Sequence, residues 1–195
     1  LIASGRQPAT ASLHPENAGI AVNERGAIVV DKRLHTTADN IWAMGDVTGG
    51  LQFTYISLDD YRIVRDELLG EGKRSTDDRK NVPYSVFMTP PLSRVGMTEE
   101  QARESGADIQ VVTLPVAAIP RARVMNDTRG VLKAIVDNKT QRMLGASLLC
   151  VDSHEMINIV KMVMDAGLPY SILRDQIFTH PSMSESLNDL FSLVK

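Results

Sequence analysis

The run from Gly130 to Ala166 constrains the fold of this chain more than any other stretch. Gly130 to Asp137 and Met143 to Val151 are strand-like segments joined by the turn Asn138-Lys139-Thr140-Gln141, which predicts an antiparallel hairpin. From Ser153 to Ala166 the apolar residues Met156, Ile157, Ile159, Val160, Val163 and Met164 recur at helical spacing, and Gly167 and Pro169 stop the pattern. A hairpin followed at once by an amphipathic helix must bury one sheet face under that helix. Further strands are expected at Val82 to Phe87 and Ile109 to Val116, a short helix from Thr98 with Gln101 completing a capping box, and a loop or single helical turn at Ile119 to Val124. Ser171 to Gln176 and Ser182 to Leu193 read as closing helices. Strands followed by helices predict an α+β domain with an antiparallel sheet and helices on one of its faces.

The preceding part has a different texture. Ala27 to Asp31 reads as a strand after the turn Asn23-Glu24-Arg25-Gly26, and Ile41 to Met44 as a short strand that delivers Gly45-Asp46 to a sheet edge. Phe53 to Leu69 reads as a helix with Ile56, Tyr61, Val64 and Leu68 on one side, stopped at Gly70-Glu71-Gly72. Lys73 to Lys80 contains no apolar residue and marks the boundary, giving units 1–75 and 76–195. Leu1 to Ser4 reads as the tail of a buried strand, so the sequence is expected to be a fragment of something longer.

With 195 residues and 43% hydrophobic content the chain can bury a substantial core. Lys+Arg 21 against Asp+Glu 24, a net charge of -3, gives no basic footprint for nucleic acid or an anionic membrane surface. No apolar run approaches the ~20 residues of a membrane span and no signal core is present, so the expected location is cytoplasmic. The single Cys150, in Leu148-Leu149-Cys150-Val151, cannot form a dithiol centre and is expected to be buried. His14, His35 and His154 show no paired ligand spacing, so no metal site is expected.

Two constellations carry chemistry. In Thr179-His180-Pro181-Ser182-Met183-Ser184-Glu185 an imidazole precedes a carboxylate across a proline turn. His180 and Glu185 suit an acid/base pair, because a carboxylate on one ring nitrogen fixes the tautomer and leaves the other to exchange protons near neutral pH. The alternative for His180 is a hydrogen-bonded turn residue. Ser182-x-x-Glu185 is equally a capping box, which accounts for the glutamate without chemistry. Gly45-Asp46 offers a carboxylate for a ribose or ribityl hydroxyl, or simply a turn residue that caps the next segment of chain.

In this order, Gly5-Arg6-Gln7-Pro8, Thr37 to Val47 ending in Gly-Asp, and His180-Pro-x-x-x-Glu185 resemble the C-terminal part of the FAD-dependent pyridine nucleotide-disulphide oxidoreductases. That is the group of glutathione reductase, lipoamide dehydrogenase and mercuric reductase. The resemblance implies a partial α/β FAD-binding segment followed by the interface, or dimerisation, domain from Tyr84 to Lys195. It implies that Asp46 binds the flavin ribityl chain, that backbone near Thr54 lies against the flavin pyrimidine, and that the His180–Pro181 bond is cis. His180 is then the acid/base lent to the partner subunit of a homodimer, oriented by Glu185. In the intact protein NAD(P)H would reduce FAD, the flavin an upstream cysteine pair, and the dithiol a small-molecule, disulphide or metal-ion acceptor.

The family's Gly-x-Gly-x-x-Gly fingerprint and Cys-x4-Cys pair are absent from this sequence, so it is expected neither to hold FAD well nor to turn over alone. Phe178 and Thr179 depart from the lipoamide dehydrogenase pattern, and no cysteine pair ends the chain as in mercuric reductase proper. The tail is most similar to a bacterial branch linked to reactive-chlorine resistance and copper(II) reduction. The alternative is a non-catalytic dimerisation module of the same fold.

Overall fold

A computed structural model describes residues 4–195. The expected strand tail at the start therefore lies, Ser4 apart, outside the described residues. The chain divides into two units, Leu1–Arg79 and Lys80–Lys195.

The first unit is largely irregular. Ala27 to Asp31 does not form the expected strand: only Val22 and Ile28 bridge, and likewise only His35 and Trp42 bridge where a strand was expected at 41–44. The Val22–Ile28 bridge is made by Asn23 N–H to the Ala27 carbonyl at 2.8 Å and Val29 N–H to that of Ala21 at 3.0 Å, while the Ile28 N–H turns away to the Val47 carbonyl at 3.0 Å. Helix α1 spans Thr54–Leu69 and stops at Gly70 as expected. Its buried face is Ile56, Asp60 and Ile63, whereas Tyr61 and Leu68, expected on the core side, are exposed. The apolar pattern misassigned the face because an acid occupies its centre.

The charged stretch after α1 is ordered rather than a bare linker. Ser75 caps a 3-10 turn at Thr76–Asp78 through a reciprocal capping box with Asp78. Arg79 then pairs with Asp59 and Asp60, which ties it to the first unit. The compact-unit boundary accordingly falls after Arg79, a few residues beyond 75/76.

The second unit is an antiparallel sheet with helices on one face. Strands β1 (Tyr84–Val86), β2 (Leu92–Gly96), β3 (Ile109–Pro115), β4 (Val131–Asp137) and β5 (Met143–Leu149) pair in the order β1-β2-β5-β4-β3. Strand β2 was not expected; Leu92-Ser93-Arg94-Val95 looks half polar in sequence, yet it joins the β1 hairpin to β5. In register, Val95 pairs with Ala146, Leu132 with Leu148 and Leu114, and Ala134 with Val112, so one face is apolar along the four longer strands. A bulge between Ile135 and Val136 sets Met143 opposite Val136 and returns it to that face.

The helices that cover this face are α4 (Ser153–Asp165), α5 (Ser171–Asp175) and α6 (Ser186–Ser192). Helix α4 buries Met156, Ile157, Val160 and Val163, and α6 buries Leu187, Leu190 and Phe191 in the same core. Ser93, on the core face, is satisfied by the hydroxyls of Ser85 at 2.7 Å and Ser153 at 2.9 Å. Helix α2 (Glu99–Glu104) carries the expected Thr98–Gln101 capping box, and α3 (Pro120–Val124) is the single turn at the end of the β3 connection. Among the described residues, no helix is long and apolar enough to cross a membrane.

Candidate functional site

In the first unit, Gly45–Thr48 forms a 3-10 turn with Gly45 at φ +77°. A side chain there is disfavoured by the left-handed backbone, and its Cβ, 2.9 Å from Ser57 Oγ, would require that hydroxyl to move. The turn is bracketed by hydrogen bonds. Asp60 Oδ2 accepts the Gly45 N–H at 2.7 Å, the Thr48 hydroxyl donates to the Gly45 carbonyl at 2.9 Å, and the Gly49 N–H donates to the Asp46 carbonyl at 3.1 Å. The Asp46 side chain is left 56% exposed, with Arg6 at 3.7 Å as its ion-pair partner. Arg6 belongs to the Gly5-Arg6-Gln7-Pro8 segment, so two sequence motifs meet here. Asp46 lies inside its own 3-10 turn, and the helix that follows, α1, has Phe53 as its N-cap, not Asp46.

Thr54 is the first residue of α1, whose N-cap Phe53 makes no side-chain cap hydrogen bond. A left-handed glycine beside an outward carboxylate fits one edge of FAD. An exposed carboxylate is an acceptor-only group of the kind a polyol chain's hydroxyls would need. Asp60 is the residue that sequence reasoning missed. Its signal was an acid spaced from Ile56 and Ile63 so as to share their buried face.

In the second unit, His180 follows an irregular segment in which Ile177 is 93% exposed. The His180–Pro181 bond is cis, as is Thr89–Pro90. His180 Nδ1 lies 2.9 Å and 2.8 Å from the two carboxylate oxygens of Glu185. An ionised carboxylate offers no donor, so Nδ1 carries the hydrogen and Nε2 is the nitrogen left to exchange a proton. The imidazole is 65% exposed and the carboxylate 29%, a ring presented outward on a half-sheltered anchor.

The capping-box alternative is half realised. Glu185 N–H donates to Ser182 Oγ at 3.2 Å, but the Glu185 carboxylate turns to His180, and α6 begins only at Ser186. The loop is pinned from below by Met183, 3% exposed, and by the Ser186 hydroxyl on its carbonyl at 2.6 Å. Asn188, one turn into α6, donates to the carbonyls of Leu173, Arg174 and Gln176 at 2.7, 3.0 and 3.0 Å. It therefore ties the end of α5, and the segment leading to His180, to the helix that follows Glu185.

Two family models match the chain. One described as pyridine nucleotide-disulphide oxidoreductase, dimerisation domain, covers residues 82–191, and one described as pyridine nucleotide-disulphide oxidoreductase covers 1–60. Among curated relatives, the mercuric reductase of Staphylococcus aureus is 36% identical over 187 residues, 96% of this chain and 34% of that protein. That of Bacillus cereus is also 36% identical, over 96% of this chain and 30% of that protein. The chain thus spans about a third of these relatives' length.

The solved structure of the HOCl-induced flavoprotein disulfide reductase RclA from Escherichia coli is 99% identical with a TM-score of 0.99, covering all of this chain and 45% of that one. LpdA from Mycobacterium tuberculosis, at 24% identity and a TM-score of 0.86 over 97% of this chain and 41% of that one, shares the fold. By its dimerisation-domain match over more than half its length, its likeness to the mercuric reductases and the motifs it sets on this framework, the chain belongs to the pyridine nucleotide-disulphide oxidoreductase family.

Proposed function

We propose that the chain is the C-terminal portion of a homodimeric flavoprotein oxidoreductase that passes electrons from NAD(P)H through FAD and an upstream cysteine pair to a disulphide or metal-ion acceptor. The observation that carries this reading is the His180 Nδ1–Glu185 contact at 2.8 Å, with the ring exposed at the surface of a dimerisation domain. The kinship to mercuric reductases, and to a disulfide reductase whose solved forms include a Cu(II) complex, supports a metal-ion or disulphide acceptor. The proposed setting is the cytoplasm, without nucleic-acid or membrane partners.

FAD, when bound, supplies the two-electron carrier between nicotinamide and sulfur. Asp46 would hold it by accepting hydrogen bonds from the polyol hydroxyls of the ribityl chain, with backbone near Thr54 as a second contact. Glu185 accepts the Nδ1–H of His180 and so fixes which nitrogen faces the reacting sulfurs. Nε2 takes the proton from the attacking thiol and, in the reductive step, returns it to the leaving thiolate of the acceptor. As the ring is presented outward, it serves the cysteine pair of the partner subunit, which makes the homodimer part of the site.

The test is single-turnover kinetics in the full-length protein. His180→Ala leaves flavin reduction by NADH or NADPH unchanged and slows dithiol-to-acceptor transfer by about 10²–10⁴-fold, the usual worth of a positioned acid/base. Glu185→Ala slows the same step less, because the ring remains. Equal slowing of both half-reactions by His180→Ala, or of neither, rejects the role; a dimer with no flavin reduction at all is the outcome of a non-catalytic module.

A further inference from the structure

Asp60 is the one buried carboxylate among the described residues, 2% exposed in the middle of α1. A carboxylate removed from water needs a partner for each oxygen, and Asp60 has two of different kinds. Oδ2 accepts the Gly45 N–H at 2.7 Å, and Oδ1 accepts from the Arg79 guanidinium. Arg79 is held in turn by Asp59 Oδ2 at 2.8 Å, and Arg74 reaches the other oxygen of Asp59 at 3.0 Å. For Arg79, burial works against the charge, and the hydrogen bonds it donates to Asp59 and Asp60 outweigh it, so its pKa lies above the ordinary value. The guanidinium occupies one Asp60 oxygen, and the other holds a single amide: the one that opens the turn bearing Asp46. Because Gly45 is at φ +77°, without its own side chain to limit rotation, its peptide orientation depends on such an external anchor.

We propose that Asp60, backed by Arg79, is a positioning residue for flavin binding: it orients the Gly45 peptide so that the Asp46 carboxylate meets the ribityl hydroxyls. The inference rests on the reading of Asp46 as the flavin contact, and the experiment separates the two.

FAD affinity is measured by fluorescence titration of the deflavinated full-length protein, for variants first shown to be folded by circular dichroism. Asp46→Ala must weaken FAD about tenfold or more, a change of about 1.4 kcal/mol per tenfold; if it does not, the reading of Asp46 fails. Asp60→Ala is expected to weaken FAD similarly. Should it not fold, the double variant Asp60→Leu/Arg79→Leu removes both buried charges together, leaves neither unpaired, and still deprives Gly45 of its acceptor. Asp60→Asn, whose amide oxygen can accept the same N–H, is expected to restore most of the affinity. Asp59→Asn perturbs the same ion network without touching Gly45 and is expected to bind FAD normally.

Added to Asp46→Ala, the Asp60 change is expected to cost little more, since it acts through that carboxylate. The proposal is overturned if Asp46→Ala weakens FAD while loss of Asp60 does not, if the two losses add in full, or if Asp59→Asn weakens FAD as much as loss of Asp60.

Discussion

Cys150 shows how environment decides what a residue can do. Its side chain is fully buried, with Sγ 3.9 Å from the Met156 sulfur. Burial, then the negative charges of Asp152 and Asp127, push its thiol up to about 12. At pH 8 the thiolate, the nucleophilic form, is then about one part in ten thousand. In this chain the native protein is therefore expected to give no reaction with an aromatic disulfide reagent, and one equivalent on unfolding in denaturant; rapid native labelling would contradict the burial. Apolar neighbours in sequence were enough to anticipate this. The partners of His180 were legible for the same reason, because the turn is local and its spacing brings ring and carboxylate together. Asp60 was not legible, since its role depends on Gly45 and Arg79, which lie fifteen and nineteen residues away in sequence.

Among the elements, the short α5 and α6 depend on each other. Asn188 places one amide group on three carbonyls at the open end of α5, groups that a five-residue helix cannot satisfy internally. Asn188→Ala should cost about 1–3 kcal/mol, the range for leaving such groups unpaired, read as a lower denaturation midpoint. Hydrogen exchange should speed up over Gln176 to His180 ahead of the sheet; uniform acceleration everywhere would show that the clamp is not local. Helices α2, α4 and α5 were legible because caps and 3.6-residue periodicity are properties of consecutive residues. Strand β2 was not, since Ser93 counts as polar until Ser85 and Ser153 supply its hydrogen bonds. The face of α1 was misread through the same limitation: a buried acid looks like a solvent position until its partners are known.

On the scale of the molecule, both units rely on carboxylates that hold turns. Asp66 accepts the backbone N–H groups of Arg74, Glu71 and Lys73, and that of Arg74 contributes most to lowering its pKa. Asp137 accepts those of Thr140 and Lys139 at 2.8 Å in the β4–β5 turn, and is likewise held below the ordinary value, by Thr140 first. A carboxyl whose folded pKa is depressed contributes stability that is fully present above the unfolded value of about 3.9 and disappears as pH falls through the folded one. The melting temperature is therefore expected to be flat near neutrality and to drop below about pH 4. Asp137→Asn should melt lower than the parent at pH 7, with the gap closing by about pH 2; a gap that widens in acid would reverse the sign of this linkage.

The amino-acid sequence by itself determined the α+β pattern, the hairpin with its covering helix, the helix stops and the order of three family motifs. Each of these arises from residues close together along the chain, where periodicity, capping and turn chemistry act. Only the tertiary structure decided that β2 bridges the two halves of the sheet, that the segments at Ala27 and Ile41 make single bridges rather than strands, and that a buried Asp60 grips Gly45. Those outcomes depend on which distant groups satisfy a polar atom once water is removed, and such pairings have no signature in local composition.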